Sequence, residues 1–258
     1  MQIFCTSDIH SYFTPFKKAL DEAGFESNNP DHLLIVCGDI FDRGAESVAI
    51  YEYLNSLTNV ILVRGNHEDL LEALLRRGYG EKHDISNGTT RTILDLEVLT
   101  DNDGTSARAC CDAVKELITP FINKMPYYFE TENYIFVHSW IPVKIKYEAN
   151  SSKPWYLQGK TFEYMEDWRS ANEVEWEEAR WGNPFRMAES GLNKTGKTIV
   201  FGHWHTSWPR HHWEGKLEFE EGADFSPYFG DGIIGLDACT AHTGKVNVVV
   251  LEDNLLTK

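Results

Sequence analysis

The sequence predicts a fold of the α/β class, on three observations. Short apolar or β-branched runs alternate with stretches of helical periodicity through the first part of the chain. The later part is richer in strand candidates. Five of the apolar runs end in Asp, Asn or His, at the place where open α/β sheets bind their ligands.

Taken in order, "QIFC" reads as the first strand and "TPFKKALDEAGF" as a helix. Thr14 is its expected cap, Pro15 its first residue, and Phe16, Ala19, Leu20 and Ala23 its apolar face. "HLLIVC" is the second strand, "AESVAIYEYLNSL" the second helix and "NVILVR" the third strand. "EDLLEALLRRG" carries leucines at 70, 71, 74 and 75, a helical stripe that stops at Gly78. Residues 89–124 read as mainly helical. "NYIFVH", "KTIVFGH", "GIIGLDAC" and "KVNVVVLE" complete the strands.

No composition break or flexible linker divides the 258 residues, so one domain over 1–258 is expected, with a possible cap or insertion at about 145–196. A formal net charge of -16 argues against a broad nucleic-acid or anionic-membrane surface, because either needs a basic face. An anionic ligand would need positive charge supplied locally. Five cysteines without a framework spacing suggest a reducing compartment. With no leader pattern or membrane-length apolar run, the expected location is the cytoplasm.

The strand ends carry the chemistry. Asp8 and His10 follow the first strand, Asp39 the second, and Asn66 and His67 the third, while His138, His203 and His205 follow two later ones. Gathered without a cation, Asp8, His10, Asp39, Asn66, His138, His203 and His205 would carry a heavy desolvation and repulsion cost. Mixed nitrogen and oxygen donors suit Mn, Fe, Zn or Ni.

In that order, "SDIH", "GDIFDRG", "RGNHE", "FVHS" and "FGHWH" resemble the calcineurin-like metallophosphoesterases. "DRG" and "RGNHE" are similar to the branch that holds the PPP serine/threonine phosphatases and the symmetrical dinucleoside tetraphosphatases. "MPYYFETENYIFVHSWIP" and "IIGLDACTAHTGKVNVVVLE" resemble segments of bacterial members, and the likeness lapses only between about 145 and 196. The resemblance implies a four-layer sandwich, two mixed β-sheets flanked by helices. It also implies two divalent metal ions, Mn first. Asp8, His10, Asp39 and His205 would hold one, Asp39, Asn66, His138 and His203 the other, with Asp39 bridging. PPP enzymes generally lack a histidine at the position of His205. A hydroxide held between the cations would attack phosphorus in line. His67 would protonate the leaving oxygen, Asp42 would orient His67, and Arg43 would grip phosphate oxygens. Glu68 reads as a favourable start to the next helix. Ser7, Ser11, Ser139 and Trp140 replace small residues common in the family, and Trp140 would narrow the site.

Two patterns are set aside. "CGDIFDR" matches a thiol-phosphatase loop, but two aspartates would repel phosphate and Cys37 closes an apolar strand. "GLNKTGKT" matches a P-loop in the wrong order, with its strand after it, and reads as a turn. Within 145–196 the aromatics pack on the scaffold in one reading. In the other they cap the metals, with Trp155, Trp168 or Trp181 stacking on a base or peptide. Arg180 is the candidate second phosphate ligand, with Arg186 as its rival; His211 and His212 read as solvent-exposed loop residues.

The expected function is hydrolysis of phosphomonoesters, with a serine/threonine protein phosphatase as first choice. Cleavage of dinucleoside polyphosphates or nucleotides is the alternative, and a metal-free interaction module on the same fold the third. The expected partner is a phosphorylated protein or small phosphoester, with no nucleic-acid polymer and no membrane.

Overall fold

Apolar strands and amphipathic helices follow one another along the chain and sort into layers. The structure is a computed structural model that describes residues 1–101, 106–147 and 160–256. In order come β1 (Gln2–Thr6), α1 (Phe13–Ala23), β2 (His32–Cys37), α2 (Ser47–Ser56), β3 (Val60–Val63) and α3 (Asn66–Arg77). Next are α4 (Lys82–Asn87), α5 (Thr89–Glu97), α6 (Ala107–Ile122), β4 (Tyr128–Glu130), β5 (Tyr134–Val137), β6 (Val143–Tyr147) and β7 (Lys160–Tyr164). The remainder is α7 (Glu173–Arg180), α8 (Pro184–Glu189), β8 (Thr198–Phe201), α9 (Ser207–Glu214), β9 (Tyr228–Gly230), β10 (Ile233–Gly235), α10 (Thr240–Thr243) and β11 (Val249–Glu252).

One sheet runs β11-β1-β2-β3 and a second β4-β5-β8-β10-β9, while β6 and β7 form a separate hairpin. Both sheets are parallel at their centres and antiparallel at an edge, so both are mixed. The period of two along β1 sorts its side chains. Ile3 and Cys5, with Ile35, Cys37 and Val63, face Phe136, Val200 and Ile234 of the other sheet. Phe4, Leu34 and Val36 face outward under the helices α1, α2, α3, α5 and α6. On the far side Ile135, Val137, Ile199 and Phe201 pack against Trp168, Trp176, Phe185 and Trp208. Helices, sheet, sheet and helices make four layers. Strand β2 is buried along its whole length, as its unbroken apolar run requires.

Register places the site. Thr6 pairs with Val36 and Cys37 with Val63, so β1, β2 and β3 finish level with one another. Phe136 pairs with Val200 and Phe201 with Gly235, so β5, β8 and β10 do likewise. The residues beyond these ends emerge together.

Four local expectations need correction. Thr14 is not a cap, because α1 begins at Phe13; its N–H and hydroxyl both donate to the Glu46 carboxylate, at 3.0 and 2.5 Å, so the start of α2 caps the start of α1. The last strand is half the expected length: its ladder with β1 covers only Val249–Glu252, and the Asn247 side-chain amide before it donates to the carbonyls of Phe225 and Leu236. Helix α3 begins at Asn66, two residues before the expected start at Glu68, so Asn66 and His67 lie in its first turn. His211 and His212 sit on α9, not in a loop. The 191–198 stretch is a turn held by Asn193, whose amide donates to the carbonyls of Lys197 and Gly232, before β8 begins. In the 145–196 region Trp168 and Trp176 are buried, with Trp176 stacked on Tyr128 at 5.4 Å, and Trp181 is half exposed. Trp155 lies outside the described residues. Among the described residues no helix is long and apolar enough to cross a membrane.

Candidate metal centre

Eight non-glycine residues among those described have positive φ, between 50° and 74°: Asp8, His10, Ser11, Asp39, Asp42, Arg43, His203 and Cys239. Each such residue costs roughly 1–2 kcal/mol, and this concentration at the strand ends marks a functional site. The loops after β2 and β3 also meet with no room to spare. A Cβ on Gly38, at φ 79°, would stand 2.6 Å from Gly65 Cα and 2.6 Å from His138 Nδ1. One on Gly65 would stand 2.3 Å from Asp39 Oδ1. Glycine at both positions lets Asp39 reach its partners.

Asp39 is the centre of the arrangement. Its Oδ1 accepts the His67 backbone N–H at 3.0 Å and lies 3.3 Å from His138 Nε2. Its Oδ2 lies 3.7 Å from His10 Nε2 and 3.9 Å from His67 Nε2. Asp8 Oδ1 is 3.9 Å from His10 Nε2, and its other oxygen accepts the His203 N–H at 2.9 Å. Two groups therefore share Asp39, one with His10 and His67 and one with His138 and His203.

The tautomers fit cations. His138 Nδ1 donates to the Cys37 carbonyl at 2.8 Å and His10 Nδ1 to the Phe41 carbonyl at 3.0 Å, so both present a bare Nε2 to the site. His138 Nε2 then lies 2.8 Å from Asn66 Oδ1 and 3.1 Å from His203 Nδ1. Acceptors converge there, which a divalent cation resolves. Burial drives the histidines toward the neutral, ligating form. It lowers His138, it lowers His10 further with help from Arg43, and with His138 nearby it pushes His203 down to about 3. Burial, then Asp237 and Asp39, raise Asp8, a crowding that a cation would relieve. Burial alone would raise Asp39, but four surrounding histidines hold it below the usual carboxylate range. Asp8, His10 and Asp39 could hold one ion, and Asp39, Asn66, His138 and His203 a second.

Around these two ligand groups stand side chains that could serve a phosphate. His67 Nδ1 lies 2.8 Å from Asp42 Oδ2, and Thr89 and Thr92 donate to the same carboxylate at 2.6 and 2.9 Å. Burial would lower His67, but Asp39 and Asp42 outweigh it and raise it. Arg43 is exposed, with Nη2 3.4 Å from His67 Nε2. Arg180 is buried, with Nε and Nη2 both 2.7 Å from Asp69 Oδ2 and its guanidinium 4.7 Å over Tyr127. Its Nη1 is buried without a partner. Arg186 is exposed on α8, 5.9 Å over Trp208.

His205 is not brought into either group. The Trp204 N–H bonds the Gly202 carbonyl at 2.7 Å, a γ-turn about His203 that returns His203 to the centre and sends His205 outward. There its Nδ1 lies 2.8 Å from Ser207 Oγ and its Nε2 3.6 Å from Glu218. Cys37 is fully buried and its thiol pKa is raised by that burial, the opposite of a nucleophile's need.

Two residues were missed from sequence. Glu68 does more than open a helix: its carboxylate accepts from Asp39 N, Ile40 N and Gly65 N at 3.0, 2.9 and 2.8 Å, clamping both loops. Its spacing three residues after Gly65 was the available signal. Asp237 ends β10 as the other site acids end their strands. It is buried, its carboxyl accepts the Cys239 N–H at 2.7 Å, and burial pushes it up to about 6.

A symmetrical bis(5'-nucleosyl)-tetraphosphatase of Buchnera aphidicola subsp. Schizaphis graminum is 36% identical over 69 residues, covering 26% of this chain and 24% of that protein. Its counterpart from Buchnera aphidicola subsp. Acyrthosiphon pisum is 35% identical over 69 residues, covering 26% of this chain and 24% of that protein, so the match spans about a quarter of these curated relatives. A solved structure described as a candidate diadenosine tetraphosphatase aligns with a TM-score of 0.51 at 16% identity, covering 97% of this chain and 89% of that one. A cold-active protein tyrosine phosphatase aligns with a TM-score of 0.51 at 13% identity, covering 97% of this chain and 73% of that one. At these identities the structural likeness is one of fold. The calcineurin-like phosphoesterase family model matches residues 1–207, and the chain belongs to that family.

Proposed function

We propose that this chain is a dinuclear metal phosphoesterase that hydrolyses phosphoserine and phosphothreonine in proteins. The observation that carries the chemistry is the sharing of Asp39 by two ligand groups, with the His67–Asp42 pair and Arg43 at the same edge. The ions would be held by Asp8, His10, Asp39, Asn66, His138 and His203, with Mn as first choice. When bound they supply Lewis acidity toward the phosphoryl oxygens and an acidified water as nucleophile. Arg43 and the free Nη1 of Arg180 are the donors for phosphate oxygens. Asp42 holds His67 by Nδ1, leaving Nε2 to give its proton to the departing alkoxide.

Charge supports the phosphoprotein reading. A cavity of about 610 Å³ next to the site is walled by Trp140, Phe162 and Trp181 and bordered by Glu175, Glu177 and Glu178, three acids against the one cation Arg186. Trp181 joins it to the centre, with its ring 6.3 Å from that of His203. Such a groove suits an apolar side chain with cationic neighbours and repels the extra charges of a polyphosphate. The second reading, a dinucleoside polyphosphate hydrolase, draws on the activity named for the Buchnera relatives.

The test compares kcat/KM for a phosphoserine peptide and for diadenosine tetraphosphate in Mn²⁺. At least a tenfold preference for the peptide is expected. The reverse preference overturns the substrate, and no turnover of either by metal-loaded protein overturns the activity.

A further inference from the structure

Helix α9 carries adjacent histidines in its last turn, and Gly215 in the left-handed conformation turns the chain back along it. The turn brings Glu218 to the same spot. His211 Nδ1 donates to the Lys216 carbonyl at 2.8 Å and His212 Nδ1 to the Trp208 carbonyl at 3.1 Å. Both rings therefore carry their hydrogen on Nδ1 and a free lone pair on Nε2, the arrangement found in metal-ligating histidines. Glu218 Oε2 is 4.0 Å from His211 Nε2, and Oε1 is 3.6 Å from His205 Nε2. One ligand atom each of His211, His212 and Glu218 lies within 4.8 Å of the others.

These separations exceed a direct hydrogen bond, which needs about 2.7–3.2 Å. Two donors on one tetrahedral zinc, each about 2.0–2.2 Å from it, stand roughly 3.3–3.5 Å apart. Closing the difference takes rotamer adjustments of about an ångström in the exposed His211 and the partly exposed Glu218, and the stack of His212 on Trp208, at 4.1 Å, already fixes one ring. Glu220, Glu221 and Asp224 on the same segment add negative potential.

We propose that His211, His212 and Glu218 form a third cation site, sharing no residue with the dinuclear centre, that takes a borderline transition metal such as Zn²⁺, with His205 beside it as a fourth donor. Imidazole and carboxylate together favour Zn²⁺ or Co²⁺ over Mg²⁺ or Ca²⁺. Occupation would tie α9 to the following segment, whose Phe219 packs 4.5 Å from His205 and 5.7 Å from His242.

The test uses the full chain carrying Asp39→Asn, which weakens both positions of the dinuclear centre, and titrates it with Co²⁺ while following the visible absorption bands of the ion. The parent is expected to bind one equivalent more than the same protein with His211→Ala and His212→Ala. Glu218→Gln should weaken that equivalent by about tenfold or more. The melting temperature should rise more with Zn²⁺ in the parent than in the double variant. Equal stoichiometry in parent and double variant overturns the site. Should the double variant fail to fold, Glu218→Gln, a change at a partly exposed residue, decides alone: unchanged affinity overturns the proposal.

Discussion

At His67 the two ring nitrogens have different surroundings. Nδ1 is fixed on Asp42, which is itself held by Thr89 and Thr92, so Nε2 alone faces the centre. If Nε2 protonates the leaving oxygen, its loss should matter in proportion to the basicity of that oxygen. His67→Asn is expected to slow phosphoserine hydrolysis by about 10²- to 10⁴-fold while slowing nitrophenyl phosphate hydrolysis far less, with metal content unchanged. Equal losses on both substrates would assign His67 to positioning Asn66 instead. The pairing of Asp42 with His67 was legible through the family resemblance. Its support was not, because Thr89 and Thr92 lie 47 and 50 residues from Asp42 and no local pattern links them.

Between elements, one carboxylate fastens the two sheets. Asp253, just past β11 of the first sheet, accepts from Thr131 Oγ1 at 2.6 Å and from Asn133 N and Nδ2 at 2.8 and 2.7 Å, both residues lying in the β4–β5 turn of the second. Burial would raise its pKa, but these donors hold it below the ordinary value. A depressed carboxyl stabilises the fold above its unfolded pKa, about 3.9, and that contribution is lost as pH falls through the folded value. Asp253→Asn should therefore cost about 1–3 kcal/mol at pH 7, with the gap to wild type closing below about pH 4. Urea titrations at both pH values check it, and a gap that persists undiminished at pH 2 contradicts it. Strands and helices with clear periods were legible at this scale. The end of α1 was not, since Thr14 is a good cap by type but Glu46, far along the chain, supplies the bond.

Across the whole molecule, the proposed centre joins ligands from both sheets: Asp8 and Asp39 follow strands of one, His138 and His203 strands of the other. Cation binding should therefore stabilise the packing of the two sheets as well as enable the proposed reaction. Ligand at 100 times its Kd adds about 2.7 kcal/mol per site, and each kcal/mol raises the Tm of a chain this size by about 2–4 °C. Mn²⁺ is thus expected to raise the melting temperature by about 5 °C or more, with chelation reversing the rise. Asp39→Asn should remove most of it, because Asp39 serves both ligand groups. No change in melting temperature with Mn²⁺ would contradict a dinuclear centre.

By itself the sequence determined the class of fold, the order of the main strands and helices, and the residue types at the strand ends. These are set by local periods and by short motifs, which act over a few residues. Only the tertiary structure decided where the side chains after those strands go. The γ-turn at His203 separates it from His205, two residues away, and sends one to Asp39 and the other to Glu218. Glu68 became a clamp on two loops, and Arg180 became a buried ion pair with Asp69 that keeps one nitrogen free. Each of these depends on register between strands and on packing between residues far apart in the chain, and a local pattern carries no information about either.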